Sequence, residues 1–250
     1  MSINLALILT LLTAFTGVVV LLDKLVWQSN RKRGASIGLL TLVEYSRSFF
    51  PVLLFVLVIR SFVFEPFRIP SGSMEPTLIA GDFIFVKKYS YGLRLPVTET
   101  KFIETGDPER GDVIVFRLPQ DPSVNYIKRV VGLPGDVVTY YEHVLTVNGV
   151  NIEREPHPHA TRQDQRYVEQ LGDRRHEIQI HDLSSTRQDG EFEVPAGQFF
   201  VMGDNRANST DSRFIGFIPE ENLVGEAVRI WMHMDGWSWP RWERIGDKIQ

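Results

Sequence analysis

The sequence predicts a mainly β fold: an antiparallel sheet or barrel-like domain behind two N-terminal membrane-spanning helices. Three observations carry this reading. Apolar residues make up 43% of the 250, ordinary for a globular chain, but they concentrate at the N-terminus. After Pro66 the helical period disappears, and short apolar runs alternate with Gly-Asp and Pro-Gly turns. The run "TVNGVNI" sets Asn148-Gly149 between apolar residues, the strongest short hairpin signal. Short strands with dense turn chemistry favour a barrel or sandwich over a βαβ fold.

Residues 1–22 are expected to form the first span, because Ile3 to Leu22 is almost wholly apolar and uncharged. About 20 such residues cross a bilayer as a helix. A cleavable leader would need a basic start, and Met1 to Leu7 has no Lys or Arg. Positive charge follows instead, at Lys24, Arg31, Lys32, Arg33 and Arg47. The positive-inside rule makes 23–48 a cytoplasmic loop. A second span is expected over 49–64, with Arg60 reaching for the far interface. The chain from 65 to 250 then lies outside the cytoplasm as a β domain.

Expected strands are Phe83–Lys87, Val113–Phe116, Tyr126–Val131, Val137–Tyr141, Phe199–Met202 and Val224–Met232. Between them, Glu153 to Gly190 is polar and charged. It reads as an insertion, a small subdomain or flap, in which "HEIQIHD" alternates like an exposed strand. "GWSWPRW" near the C-terminus is rich in Trp, a residue favoured at membrane interfaces. Trp237, Trp239 or Trp242 is expected to touch lipid, with core packing as the alternative. The net charge of −4 argues against nucleic-acid binding. The absence of cysteine excludes disulfides, thiol nucleophiles and thiolate metal sites.

Chemistry first shows in "PSGSMEPT", residues 70–77. A serine hydroxyl attacks only when a base takes its proton. Of the six histidines, four lie in the polar insertion and His143 beside it. None, His233 included, has a carboxylate in a recognisable triad setting, and there is no Gly-x-Ser-x-Gly elbow. A lysine serves only where burial lowers its pKa. On a strand over "NYIKRVV", Lys128 shares a face with Tyr126 and Val130, which would desolvate it if that face is the inner one. A solvated surface strand is the alternative. The one Ser-x-x-Lys match, Ser29 to Lys32, falls in the basic loop and reads as coincidence. The polar run Gly203 to Arg213 suits a surface loop. It is a poor calcium loop, because Arg206 stands where an acidic ligand belongs.

"PSGSMEPTL", "GDFIFVKK", "RGDVIVF", "YIKRVVGLPGD" and "MGDNRANSTDSR" occur in this order after the two spans. Together they resemble the bacterial type I signal peptidases, membrane serine proteases that remove signal peptides from exported preproteins. The resemblance covers nearly the whole chain except the insertion. It implies Ser73 as nucleophile, Lys128 as general base and the Ser71 hydroxyl in the oxyanion hole, with no metal or cofactor. Gly72 would let the backbone turn so that both hydroxyls face one carbonyl, and the Ser73 backbone N–H would be the second oxyanion donor. By the same resemblance Ser209 hydrogen-bonds the Lys128 amino group and Asp211 pairs with Arg213. Asp204, Arg206 and Arg129 support the site. Ala207 replaces an acidic residue common in the family. Phe67, Ile69, Met74, Leu78, Ile84, Val115, Tyr126 and Ile127 would surround two shallow pockets for a small-x-small (Ala-x-Ala) cleavage site.

The implied setting is the bacterial inner membrane, with the catalytic domain on the periplasmic side. The implied partners are signal peptides and membrane lipid, the implied state a monomer. Soluble self-cleaving repressors also use Ser–Lys catalysis, but they carry DNA-binding segments and lack two spans. A binding module without chemistry, or an inactive relative, would not need both Ser73 and Lys128.

Overall fold

The computed structural model describes residues 5–27, 37–158, 160–161, 165–180, 189–234, 236, 239 and 242–249. The chain divides into two compact units, one of Met1–Glu65 with Leu93–Ile103, the other of Pro66–Gly92 with Glu104–Gln250.

In the first unit, helix α1 (Leu5–Leu22) runs on through a π turn to Trp27, and α2 (Ile37–Val58) through another to Val63. Both are long and apolar enough to cross a membrane. The second helix begins at Ile37 rather than at the expected Phe49. Glu44, Ser46 and Arg47 suggest a loop by composition, but nothing from Leu39 to Phe50 breaks a helix. Arg47 is not a loop charge: its Nη2 lies 2.6 Å from the buried Asp23 carboxylate of the first helix. Gly17 leaves the room that the Phe50 ring occupies. Arg60 pairs with Glu65 at 3.1 Å. Strands β1 (Phe64–Arg68) and β2 (Asp82–Lys87) belong to the second unit's sheet, whereas the small ribbon of β3 (Leu93–Arg94) and β4 (Lys101–Ile103) groups with the helices. Phe102 there meets Phe62 edge-on at 6.1 Å. Arg31, Lys32 and Arg33 lie outside the described residues.

The second unit is β throughout, apart from short helical turns. It holds β5 (Val113–Leu118), β6 (Asp121–Gly132), β7 (Val137–Tyr141), β8 (Val144–Val147) and β9 (Val150–Asn151). There follow β10 (Arg154–Pro156), β11 (Gln165–Leu171), β12 (Arg174–Ile180), β13 (Gly190–Glu193), β14 (Gln198–Met202), the short α3 (Ser212–Ile215), β15 (Ile218–Pro219) and β16 (Leu223–His233). Each expected strand is present. A seven-stranded sheet runs β1-β2-β16-β5-β6-β14-β15, beside a four-stranded sheet β13-β7-β8-β9 and a three-stranded sheet β10-β11-β12. The β8–β9 connection is the expected hairpin, with Asn148 and Gly149 both at positive φ (53° and 76°), as a type I′ turn requires.

Strand β6 is buried from Ile127 to Gly132 on both faces. Ile127 packs with Ile69, Met74, Leu78, Ile84 and Val115. Tyr126 and Val130 pack with Ile114 and Phe116. Val131 joins a third cluster with Val138 and Phe200. The insertion supplies the three-stranded sheet, and the expectation of an exposed strand there is corrected. Along β12, His176, Ile178 and Ile180 are buried, so the alternation marks a half-buried strand with one face inward. His159 and His181 lie outside the described residues. Trp239 and Trp242 are 88% and 71% exposed, so neither is core; Trp237 is outside the described residues.

Candidate active site

The β1–β2 connection carries Ser71 and Ser73. It is closed at its base by Ile69 N–H to Asp82 O (2.8 Å) and Gly81 N–H to Ile69 O (2.9 Å). Met74 and Leu78, both fully buried, anchor it in the core. Glu75 N–H bonds Gly72 O at 3.1 Å, turning the chain at Ser73. Gly72 does not take a left-handed conformation, which corrects the expected reason for it. A side chain there would meet only the end of the flexible Glu75 side chain, which can swing aside, so neither space nor backbone conformation demands the glycine.

Strand β6 brings Lys128 to this turn. Its Nζ lies 2.8 Å from Ser73 Oγ and donates to Ile127 O at 2.8 Å. The ammonium sits 5.4 Å from the centre of the Tyr126 ring, so the face shared along the strand is real. Lys128 is only 3% exposed. Burial pushes its pKa down to about 8, while the Asp211 and Asp204 carboxylates pull the other way. A lysine at about 8 is neutral often enough at neutral pH to take a proton from a hydroxyl in contact with it. Ser71 is exposed two residues ahead on the same turn.

The run Gly203 to Arg213 backs the pair, and apart from Ala207, Asn208 and Thr210 it is buried rather than a surface loop. Arg129 Nε and Nη2 donate to the two Asp204 carboxylate oxygens at 2.8 and 2.6 Å, and its Nη1 donates to Gly111 O at 2.8 Å. Thr77, on the same turn as Ser73, donates to Asp204 at 2.5 Å. Burial alone would raise the Asp204 pKa, but Arg129 and these donors together hold it low. Arg213 Nε and Nη2 donate to Asp211 at 2.8 Å each, and Asp211 also accepts Gly203 N–H at 3.0 Å. Arg206 is forked onto Glu169 of the insertion.

Ser209 is buried, yet its Oγ makes no hydrogen bond. The expected Ser209–Lys128 bond is therefore not formed; Ser73 Oγ and Ile127 O take the lysine's place-holding contacts instead. Ser209 still borders Ser73: a side chain at Gly203 would collide with both Ser209 and the Ser73 carbonyl. Four functional neighbours escaped sequence reasoning: Gly203, Asn205, Thr77 and Glu169. Asn205 donates from its backbone N–H to Ser73 O (3.2 Å) and from Nδ2 to Gly72 O (3.1 Å). Thr77, Gly203 and Asn205 lie inside quoted motifs and Glu169 does not, but only contact reveals what each does.

Among the apolar residues expected to line pockets, Met74, Leu78 and Ile84 have no exposed surface and serve as core. Ile69 and Val115 are nearly as buried, Ile127 reaches the rim at 9%, and Phe67 and Tyr126 are half-buried. Ala207 is half-buried. A cleft of about 750 Å³ lies between Pro76-Thr77, the insertion and the C-terminal segment; neither Ser73 nor Lys128 lines it. Among the described residues the histidines give no triad. His233 bonds Asp82 at 2.8 Å, but its Nε2 is buried without a partner, so no hydroxyl stands against it.

The family model "Signal peptidase, peptidase S26" matches residues 42–232. The chain belongs to this family. Signal peptidase I of Pseudomonas fluorescens is 47% identical over 96% of this chain and 94% of its own length. That of Pseudomonas aeruginosa is 44% identical over the same shares. That of Haemophilus influenzae is 38% identical over 83% of this chain and 76% of its own. A signal peptidase I of Enterococcus faecalis, known from its crystal structure, is 28% identical over 48% of this chain and 96% of that one, with a TM-score of 0.33. As a peptidase S26 member the chain is a signal-peptide-removing serine peptidase, and a serine peptidase needs an activated hydroxyl. Ser73 Oγ stands 2.8 Å from the amine of the buried Lys128.

Proposed function

We propose that this signal peptidase cuts preproteins after a small-x-small (Ala-x-Ala) site, with Ser73 as nucleophile and Lys128 as general base. The observation that carries the reading is the 2.8 Å contact between Ser73 Oγ and a buried lysine amine. Neutral Lys128 takes the hydroxyl proton as Oγ attacks the scissile carbonyl. The oxyanion is held by the Ser73 backbone N–H and the Ser71 hydroxyl. The lysine then passes its proton to the leaving amine, the acyl-enzyme forms, and the same amine activates the water that hydrolyses it. Asp204, Arg206, Asp211, Arg213 and Arg129 hold the frame.

Phe67, Tyr126 and Ile127, which keep some exposure, form the rim against which the small side chains sit. Replacing Ile127 with alanine is expected to let larger residues be cleaved at the site's small positions. Cleavage of a panel of substrates varied there reads this directly, and unchanged selectivity removes Ile127 from the wall. In this reading the N-terminus lies outside and the β domain in the periplasm of the inner membrane, as a monomer with Trp239 and Trp242 at the lipid surface; the two long apolar helices and the exposure of both rings support it. Ser73 follows the second helix by about ten residues, and a tether that short keeps the site where membrane-anchored signal peptides end.

The experiment is to purify the full chain in detergent and incubate it with a preprotein ending in Ala-x-Ala. Ser73→Ala, checked for folding by circular dichroism, runs alongside. Cleavage after the last Ala by the wild type alone is expected. Equal cleavage by both discards Ser73 as nucleophile.

A further inference from the structure

We propose that the three-stranded sheet of the insertion is a brace for the nucleophile's turn, and that Glu169 within it is a positioning residue for the reaction. The inference rests on the reading of Ser73 as nucleophile.

The insertion is joined to the site by a continuous set of contacts. Gln179 of β12 forms a parallel bridge with Asn205. Its N–H donates to Asp204 O at 2.9 Å, and its carbonyl accepts Arg206 N–H at 2.9 Å. The segment 204–206 is thus held as an added strand on the edge of the insertion's sheet. Asn205, at the centre of that segment, grips the Gly72 and Ser73 carbonyls. With those two carbonyls fixed, the peptide planes around Ser73 are fixed too, including the N–H that serves the oxyanion.

Glu169 supplies the lock. It lies on β11 opposite His176, is 1% exposed, and receives the Arg206 guanidinium on both oxygens. Burial alone would raise its pKa, but Arg206 and His176 hold it down at about 2, so the carboxylate stays charged. Arg206 O in turn accepts from Arg213, which pairs with Asp211. One buried carboxylate from outside the motif-bearing strands therefore fixes the rotation of the segment that fixes Ser73. A displacement of about 1 Å at a nucleophile costs on the order of a hundredfold in rate, which gives such a brace a kinetic reason.

The test measures kcat and KM on the preprotein, with thermal unfolding in the same detergent. Glu169→Gln keeps the shape and loses the charge; Arg206→Lys keeps the charge and loses the fork, and covers the case in which the first variant does not fold. In the folded variant, kcat is expected to fall at least about tenfold while KM stays within about twofold. The exchange Glu169→Arg with Arg206→Glu is expected to recover most of the loss. A folded variant with wild-type kcat overturns the brace alone, and so does a loss confined to KM. A folded wild type that does not cleave, or a Ser73→Ala variant that does, overturns the nucleophile assignment and this inference with it.

Discussion

Replacing Lys128 with methionine is expected to lower kcat/KM about 10⁴-fold, the scale on which removal of a base from a nucleophile–base unit acts. Methionine keeps the length and apolar fit of the side chain, so the protein should remain folded. The loss comes from the proton: without the amine 2.8 Å away, the Ser73 hydroxyl has no acceptor. The pH profile carries the same argument. With a pKa of about 8, about one lysine in ten is neutral at pH 7, against about one in three thousand at the ordinary value. Activity should rise with pH toward a plateau above about 8. A profile flat from pH 6 to 9, or a methionine variant of wild-type activity, would sink Lys128 as the base.

The depressed pKa has a structural cost with a definite sign. Between about pH 8 and 10.5 the unfolded chain binds a proton that the folded chain does not, so stability rises with pH there. Below that window the full penalty applies, on the order of 3 kcal/mol. Lys128→Met removes it and should therefore unfold at a higher temperature than the wild type near pH 7, while being inactive. A melting temperature that falls instead would mean that the hydrogen bonds to Ser73 and Ile127 outweigh the burial of the amine.

Replacing Asp204 with alanine carries the second large effect. Arg129 is 1% exposed and Asp204 fully buried. Removal of the carboxylate leaves a buried guanidinium with only Gly111 O as an acceptor. Breaking a buried pair from one side costs about 3–5 kcal/mol, which in a chain of this size lowers the melting temperature by about 10 °C. Activity should fall as well, because Thr77 loses its partner on the nucleophile's turn. Removing both charges, as Arg129→Met with Asp204→Leu, should restore most of the stability, since the penalty belongs to the unpaired charge. A single variant that melts with the wild type would show that the pair contributes nothing, and the account of Arg129 and Asp204 as the frame would fall.

The sequence on its own determined much of this protein. The apolar run of α1 needs no tertiary context to read as a candidate span, because its length and composition answer to the bilayer. Asn148-Gly149 dictates its hairpin through backbone sterics alone, and the β strands follow from alternation and turn residues. The order of motifs around Ser73 and Lys128 pointed to the family before any geometry. The start of α2 escaped because polar residues within a helix read as a loop until Arg47 is seen against Asp23.

What only the tertiary structure decided is burial and pairing between distant segments. Whether Lys128 is a solvated surface cation or a base near pKa 8 depends on what covers its strand, and a strand reports only which residues share a face. Glu169 looked like one more charge in a polar insertion until Arg206, well along the chain, was found on both its oxygens. Ser209 carried a role by its motif, yet its hydroxyl bonds nothing here. Local periodicity is set by each residue's immediate neighbours along the chain. Desolvation and ion pairing are set by residues that folding brings together from tens of positions away, and these are the forces that make a hydroxyl reactive.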